Sequence, residues 1–104
     1  MSGDASWLIE AIEQRKLVQR MQRSQVTLFE PQAYVRVAGG RDALIAYQVE
    51  GETRHHAAPH QWFVLILDAE ALVPDPKRRF SAAREIPPNY QAQIQKLYLR
   101  AKSK

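Results

Sequence analysis

The spacing of apolar and polar residues changes period several times along the chain, and each change marks an element. Trp7, Leu8, Ala11 and Ile12 recur at helical spacing with Glu10, Glu13 and Gln14 opposite, which predicts a helix over about residues 6–16. Asp4 or Ser6 can cap it, because a short side-chain oxygen accepts from the free N–H groups of a first turn. Arg15 and Lys16 stand where a helix C-terminus favours cations. Residues 17–23 are mostly polar, with Leu17, Val18 and Met21 as the apolar positions. They read as a strand because Ser24-Gln25 can turn and residues 26–29 are strand-like; a strand this polar belongs at an edge or has one wet face. Glu30-Pro31 interrupts the next run. Proline cannot donate to a sheet ladder, so the step marks an edge, a bulge or a bend. Tyr34, Val35 and Val37 resume the extended pattern, and Gly39-Gly40 can take positive φ and close a hairpin. Residues 43–49 form the strongest strand, with Ile45, Tyr47 and Val49 on one face and Leu44, Ala46 and Gln48 on the other.

The second half is less regular. Residues 50–60 read as a long polar loop with Gly51, Pro59 and three histidines. Residues 62–67 are apolar on both faces, which predicts a buried central strand. Residues 70–73 predict a last short strand stopped by Pro74 and Pro76, followed by a basic irregular segment over 74–88 with Phe80 and Ile86 as anchors onto the core. Pro87-Pro88-Asn89 is a helix-start signal. Tyr90, Ile94, Leu97, Tyr98 and Ala101 then share a helical face, giving a terminal helix over about 90–101. Helix, about five short antiparallel strands and helix together predict a single, mainly β (α+β) domain: a small, partly open barrel over 17–73 with a helix at each end.

Composition changes this picture little. The 104 residues suit one domain with one modest core. There is no cysteine, hence no disulfide scaffold and no thiolate chemistry, which fits a reducing, cytoplasmic setting. The N-terminus lacks the basic flank and apolar stretch of a signal peptide. The apolar run at 62–67 is too short to span a bilayer, so no membrane association is expected. Charge matters more. From Lys77 onward there are eight bases and one acid, a net +7, which leaves −3 for residues 1–76 of the total +4. Such asymmetry points either to a polyanionic partner or to a solvated basic tail.

No catalytic constellation emerges. The serines at 2, 6, 24, 81 and 103 stand outside any strand-turn-helix elbow. Gly39-Gly40-Arg41 precedes a strand rather than a helix, so it is no phosphate loop. His55, His56 and His60, with Glu52, are the one candidate metal set. Adjacent loop histidines diverge, and an exposed polar loop is the favoured reading. The chain is therefore read as a non-enzyme without cofactor or metal. Nucleic-acid binding is the sharper possibility, because a small barrel with exposed aromatics and arginines can stack bases and track phosphates. The candidates are Arg20, Arg23, Tyr34, Arg36, Arg41, Tyr47 and Arg54, with the basic cluster Lys77, Arg78 and Arg79. The plainer readings are half-buried sheet packing for the tyrosines and a solvated loop for the cluster.

Phe29-Glu30-Pro31 followed by Ala43-Leu44-Ile45-Ala46-Tyr47 resembles the WYL domain, named for its Trp-Tyr-Leu triplet. Asp42-Ala43-Leu44 stands where the triplet would, so only the leucine matches, and Tyr47 matches a later tyrosine. Ala46-Tyr47-Gln48, Trp62 and Pro87-Pro88-Asn89-Tyr90 are similar to features of short, stand-alone members, and the resemblance covers about residues 8–98. It implies an SH3-like (Sm-like) barrel and a bacterial module for transcription regulation or ligand sensing that binds nucleic acid or a small anionic, nucleotide-like ligand. The arginines that relatives carry after the tryptophan are missing from Phe63-Val64-Leu65-Ile66-Leu67. An apolar strand there suits burial, or a protein partner in an interaction or homo-oligomerisation module.

Overall fold

A computed structural model of the chain describes residues 6–22, 25–50, 61–69, 71–81 and 83–102. Helix α1 (Ser6–Glu13) leads into strand β1 (Lys16–Gln22), which is followed by β2 (Gln25–Val37), β3 (Arg41–Glu50), β4 (Trp62–Ile66) and β5 (Leu72–Arg79). A single helical turn, α2 (Pro88–Gln91), precedes β6 (Ile94–Arg100). The strands form one six-stranded antiparallel sheet in the order β4-β3-β2-β1-β5, with β6 added to β2. β4 and β5, the two ends of that path, do not pair with each other, so the sheet is not closed.

The first three strands lie where the residue pattern predicts. α1 stops at Glu13, short of Lys16, and Arg15 makes the exit in the left-handed region at φ 57°. Gln22 faces Gln25 across the first hairpin. Gly39 (φ 87°) and Gly40 (φ 71°) turn the second, with the Gly40 N–H donating to the Val37 carbonyl. The Glu30-Pro31 step is a bulge: Pro31 faces Ala46 and Ala33 faces Ile45, leaving Gln32 without an opposite number. It is also a joint. Before it, β2 pairs with β1, ending at Phe29 opposite Val18. After it, the same edge of β2 pairs with β6, from Ala33 opposite Arg100 onward. Pro31, which has no N–H to offer, falls in the gap between the two neighbours.

Three expectations are corrected. Residues 90–101 do not form a helix: α2 ends at Gln91 and 94–100 is a strand. The second half of β2 would otherwise present an open edge, and its ladder outweighs the helical spacing of Ile94, Leu97 and Tyr98. Pro74 and Pro76 do not stop β5, which begins at Leu72 and runs to Arg79; it is an edge strand, where missing donors can face outward. β5 bulges instead. Lys16 faces Arg79 and Val18 faces Pro74, so the extra residues arch away from β1. Asp75 holds the arch, because its buried carboxylate accepts from the Lys77 and Arg78 N–H groups at 2.8 and 2.9 Å and from Gln19 Nε2 at 3.0 Å. Finally, residues 62–67 are not central, since among the described residues β4 pairs only with β3.

β4 is nonetheless packed on both faces, because the sheet separates two apolar clusters. Leu8, Ala11 and Ile12 of α1 meet Val18, Phe29, Leu44, Ala46 and Leu65, with Phe63 and Leu67 against them. Across the sheet, Ala33, Val35, Ala43 and Ile45 pack with Ile86, Trp62, Val64, Ile66, Tyr90 and Ile94. Alternation along β3 and β4 sends successive residues to the two clusters. Phe80 and Ile86 are buried anchors, as expected, and they lay the segment between β5 and β6 against the sheet.

Candidate functional site

The bulged joint of β2 gathers the polar interior. Gln32 is buried and its amide is used at both ends: Oε1 accepts from the Arg84 N–H at 2.9 Å, and Nε2 donates to Glu30 Oε1 at 3.4 Å. Arg84 Nε donates to the same Glu30 oxygen at 2.7 Å and Nη2 to the other at 3.4 Å. The guanidinium lies 4.0 Å from the centre of the Tyr47 ring, and its hydrogen bond to Glu30 holds its pKa above the usual arginine value. Tyr47 packs edge-on against Trp62, Trp62 leans on Tyr90, and the Tyr90 hydroxyl donates to the Trp62 carbonyl. These contacts make Tyr47 part of a structural tie between the joint and residues 83–90. An open depression of about 510 Å³ beside the tie is lined by Ala83, Arg84, Glu85, Arg100 and Ala101.

A different group of aromatic and basic side chains forms on the second half of β2. Tyr34 and Tyr98 stack with ring centres 4.6 Å apart and planes 37° off parallel. Arg36 lies 5.8 Å and Lys96 5.5 Å from the centre of the Tyr98 ring. The ladder explains the grouping: Arg36 faces Lys96 on β6 and Asp42 on β3, while Tyr34 faces Leu99 and Leu44. Asp42 ties the group together. Its Oδ1 accepts from the Tyr98 hydroxyl at 3.1 Å and lies 3.7 Å from Arg36 Nε. Burial, and secondarily the Asp42 charge, raise the Tyr34 phenol above its usual pKa, so Tyr34 offers a neutral face at pH 7. Arg36 and Lys96 are exposed and the tyrosines half-buried. Such a surface can offer a stacking face beside positive charge.

The other expected residues lie elsewhere. Arg20 is half-buried, its guanidinium 5.3 Å from the Phe29 ring centre and 5.7 Å from that of Phe63. Arg41 is exposed at the hairpin opposite Val37, hence on the sheet face away from Arg36. Lys77, Arg78 and Arg79 are exposed on β5, beside β1 rather than beside the second half of β2. Arg23, Arg54 and the set Glu52, His55, His56 and His60 lie outside the described residues. Tyr98 and Lys96, assigned to a helix by their spacing, are the site residues the residue pattern missed. No local signal marks them, because only the pairing of β6 with β2 sets them beside Tyr34 and Arg36. Among the described residues no helix is long and apolar enough to cross a membrane. Comparison with family models, with curated proteins and with solved structures gives no match.

Proposed function

We propose that the chain is a non-enzymatic, WYL-like regulatory or ligand-sensing module of a bacterial cytoplasm, its curled open sheet corresponding to an SH3-like (Sm-like) partly open barrel. On this reading it binds nucleic acid, or a small nucleotide-like anion, across the second half of β2. The observation that carries the reading is the Tyr34–Tyr98 pair, 4.6 Å between ring centres, with Arg36 and Lys96 beside it. Bases stack on aromatic faces with little regard to sequence, and cations supply the salt-dependent part of the affinity.

Fluorescence anisotropy of labelled single- and double-stranded oligonucleotides, at low and physiological salt, tests it. Binding should weaken with salt, and Arg36→Ala with Lys96→Ala should lower affinity about tenfold and flatten the salt slope by about two. Converting Lys77, Arg78 and Arg79 to Gln should lower it by a smaller, sequence-indifferent factor. No binding at low salt removes the reading. Loss only in the Lys77 cluster variant reduces it to unspecific charge.

A second reading, a protein–protein interaction or oligomerisation module without nucleic-acid affinity, is favoured by a separate surface. Met21, Val26 and Val73 are 46%, 43% and 44% exposed. Met21 faces Val26 across the first hairpin, and Val73 faces Gln19 on the same side of β1. Three large apolar side chains side by side in water suit a partner's surface.

A further inference from the structure

The three outer edges of this sheet differ in a way that singles out one of them. β5 carries Pro74, Pro76, Lys77, Arg78 and Arg79, and arches away from its neighbour. β6 carries Lys96 and Arg100. Prolines, bulges and charges are the devices that keep an edge from pairing with another chain. β4, Trp62-Phe63-Val64-Leu65-Ile66, has none of them.

The phase of its ladder sets which groups face outward. The Leu67 N–H donates to the Asp42 carbonyl and the Gln48 N–H to the Gln61 carbonyl. Residues 61, 63, 65 and 67 therefore turn their backbone groups toward β3, and Trp62, Val64 and Ile66 turn theirs away. The Tyr90 hydroxyl reaches the Trp62 carbonyl from that outer side, at 3.1 Å. Among the described residues no strand meets the other outward groups. Their centre is Val64.

We propose that β4 pairs with β4 of a second copy, antiparallel about a two-fold axis at Val64. The occupant follows from self-complementarity. Val64 meets Val64 of the second copy in a doubly hydrogen-bonded pair, and Trp62 meets Ile66 of the second copy in the same phase. No charge opposes its own copy across the axis. Trp62, Val64 and Ile66 extend the cluster that holds Ile45 and Ile86, and Phe63 and Leu65 extend the one that holds Phe29. The Trp62 carbonyl, with two lone pairs, accepts from the second copy while keeping Tyr90. Pairing of β4 with the β5 edge of another copy would instead build rings or fibres, and the prolines and bulge of β5 oppose it. The inference goes beyond both readings above: it uses neither the Met21 surface nor nucleic-acid binding.

The test is the mass of the full chain by sedimentation equilibrium from about 1 to 500 µM, with Val64→Pro as the principal variant. Proline there removes an outward donor and spares the β3 ladder, since the Val64 N–H makes no bond to β3. The expected result is a mass rising to twice the monomer's and no further, with at least a tenfold weaker dimer in Val64→Pro at unchanged far-ultraviolet dichroism. Should Val64→Pro fail to fold, residue-resolved amide exchange on the unaltered chain decides. The Val64 and Ile66 amides should slow at least tenfold between low and high concentration, while the Leu65 amide is slow throughout. A monomer at every concentration overturns the proposal, and so do masses beyond the dimer. A dimer that tolerates Val64→Pro but is abolished by Val73→Lys also overturns it, and moves the interface to the Met21 surface.

Discussion

Asp75 shows how one side chain can let a strand survive two prolines. Its carboxylate takes the two N–H groups that the arch of β5 turns inward, and those of Arg78 and Lys77 hold its pKa below the ordinary aspartate value. The sign follows from that depression. The stabilisation is complete above the unfolded pKa of about 4 and is lost as pH falls through the lower folded value. Asp75→Ala, which removes the shared acceptor of the Lys77 and Arg78 N–H groups and of Gln19, should cost about 2 kcal/mol in urea denaturation at neutral pH. Asp75→Asn should cost less, and its stability should fall less steeply than that of the parent chain between about pH 5 and pH 3. Arg15 is the opposite case. A side chain at φ 57° bears a steric cost that glycine avoids, against glycine's greater freedom when unfolded. Arg15→Gly should therefore raise stability by about 0.5 kcal/mol, visible as a small increase in Tm.

Among the elements, legibility followed locality. The α1 face, the two hairpins and the Pro31 bulge are written in adjacent residues, and each falls where the pattern puts it. β6 is not. Tyr90, Ile94, Leu97, Tyr98 and Ala101 fit a helix well, and only the open edge of β2, far off in the chain, makes a strand of them. Half of the candidate site was hidden for the same reason: Tyr34 and Arg36 were legible on β2, whereas Lys96 and Tyr98 reach them only through that ladder. β4 was misplaced for another reason. Side-chain pattern reports which faces are covered and is silent about lateral neighbours, so a strand packed on both faces reads as central even at an edge. The tie from β2 to residues 83–90 can be tested at this scale. Arg84→Ala leaves the buried Glu30 without its charged partner, with only Gln32 Nε2 still donating to it, and should cost about 2 kcal/mol. In a Glu30→Gln background the same change should cost clearly less, as a double-mutant cycle by thermal or urea melting would show.

At the scale of the whole molecule, two sheet sections share β2. One is β5-β1-β2-β3 before the joint and the other is β6-β2-β3-β4 after it. A chain ending at residue 93 keeps the first section, loses β6, and exposes the backbone edge of β2 from Ala33 to Val37. It should lose its cooperative melting transition and aggregate, checked by calorimetry and light scattering against the full chain. Removing the basic residues from Lys77 onward by truncation would do the same. Their electrostatic role is therefore read from side-chain replacement.

The double pairing of β2 also bears on how the protein comes into being on a ribosome. β1 to β4 are neighbours in the chain and in the sheet, so a meander can form while synthesis continues. The residues that complete the longest strand leave the exit tunnel long after it, since Ala33 waits for Arg100. Long-range closure of this kind slows folding. The nascent chain therefore carries an unsealed strand from the emergence of Val37 until residues 94–100 have followed it out.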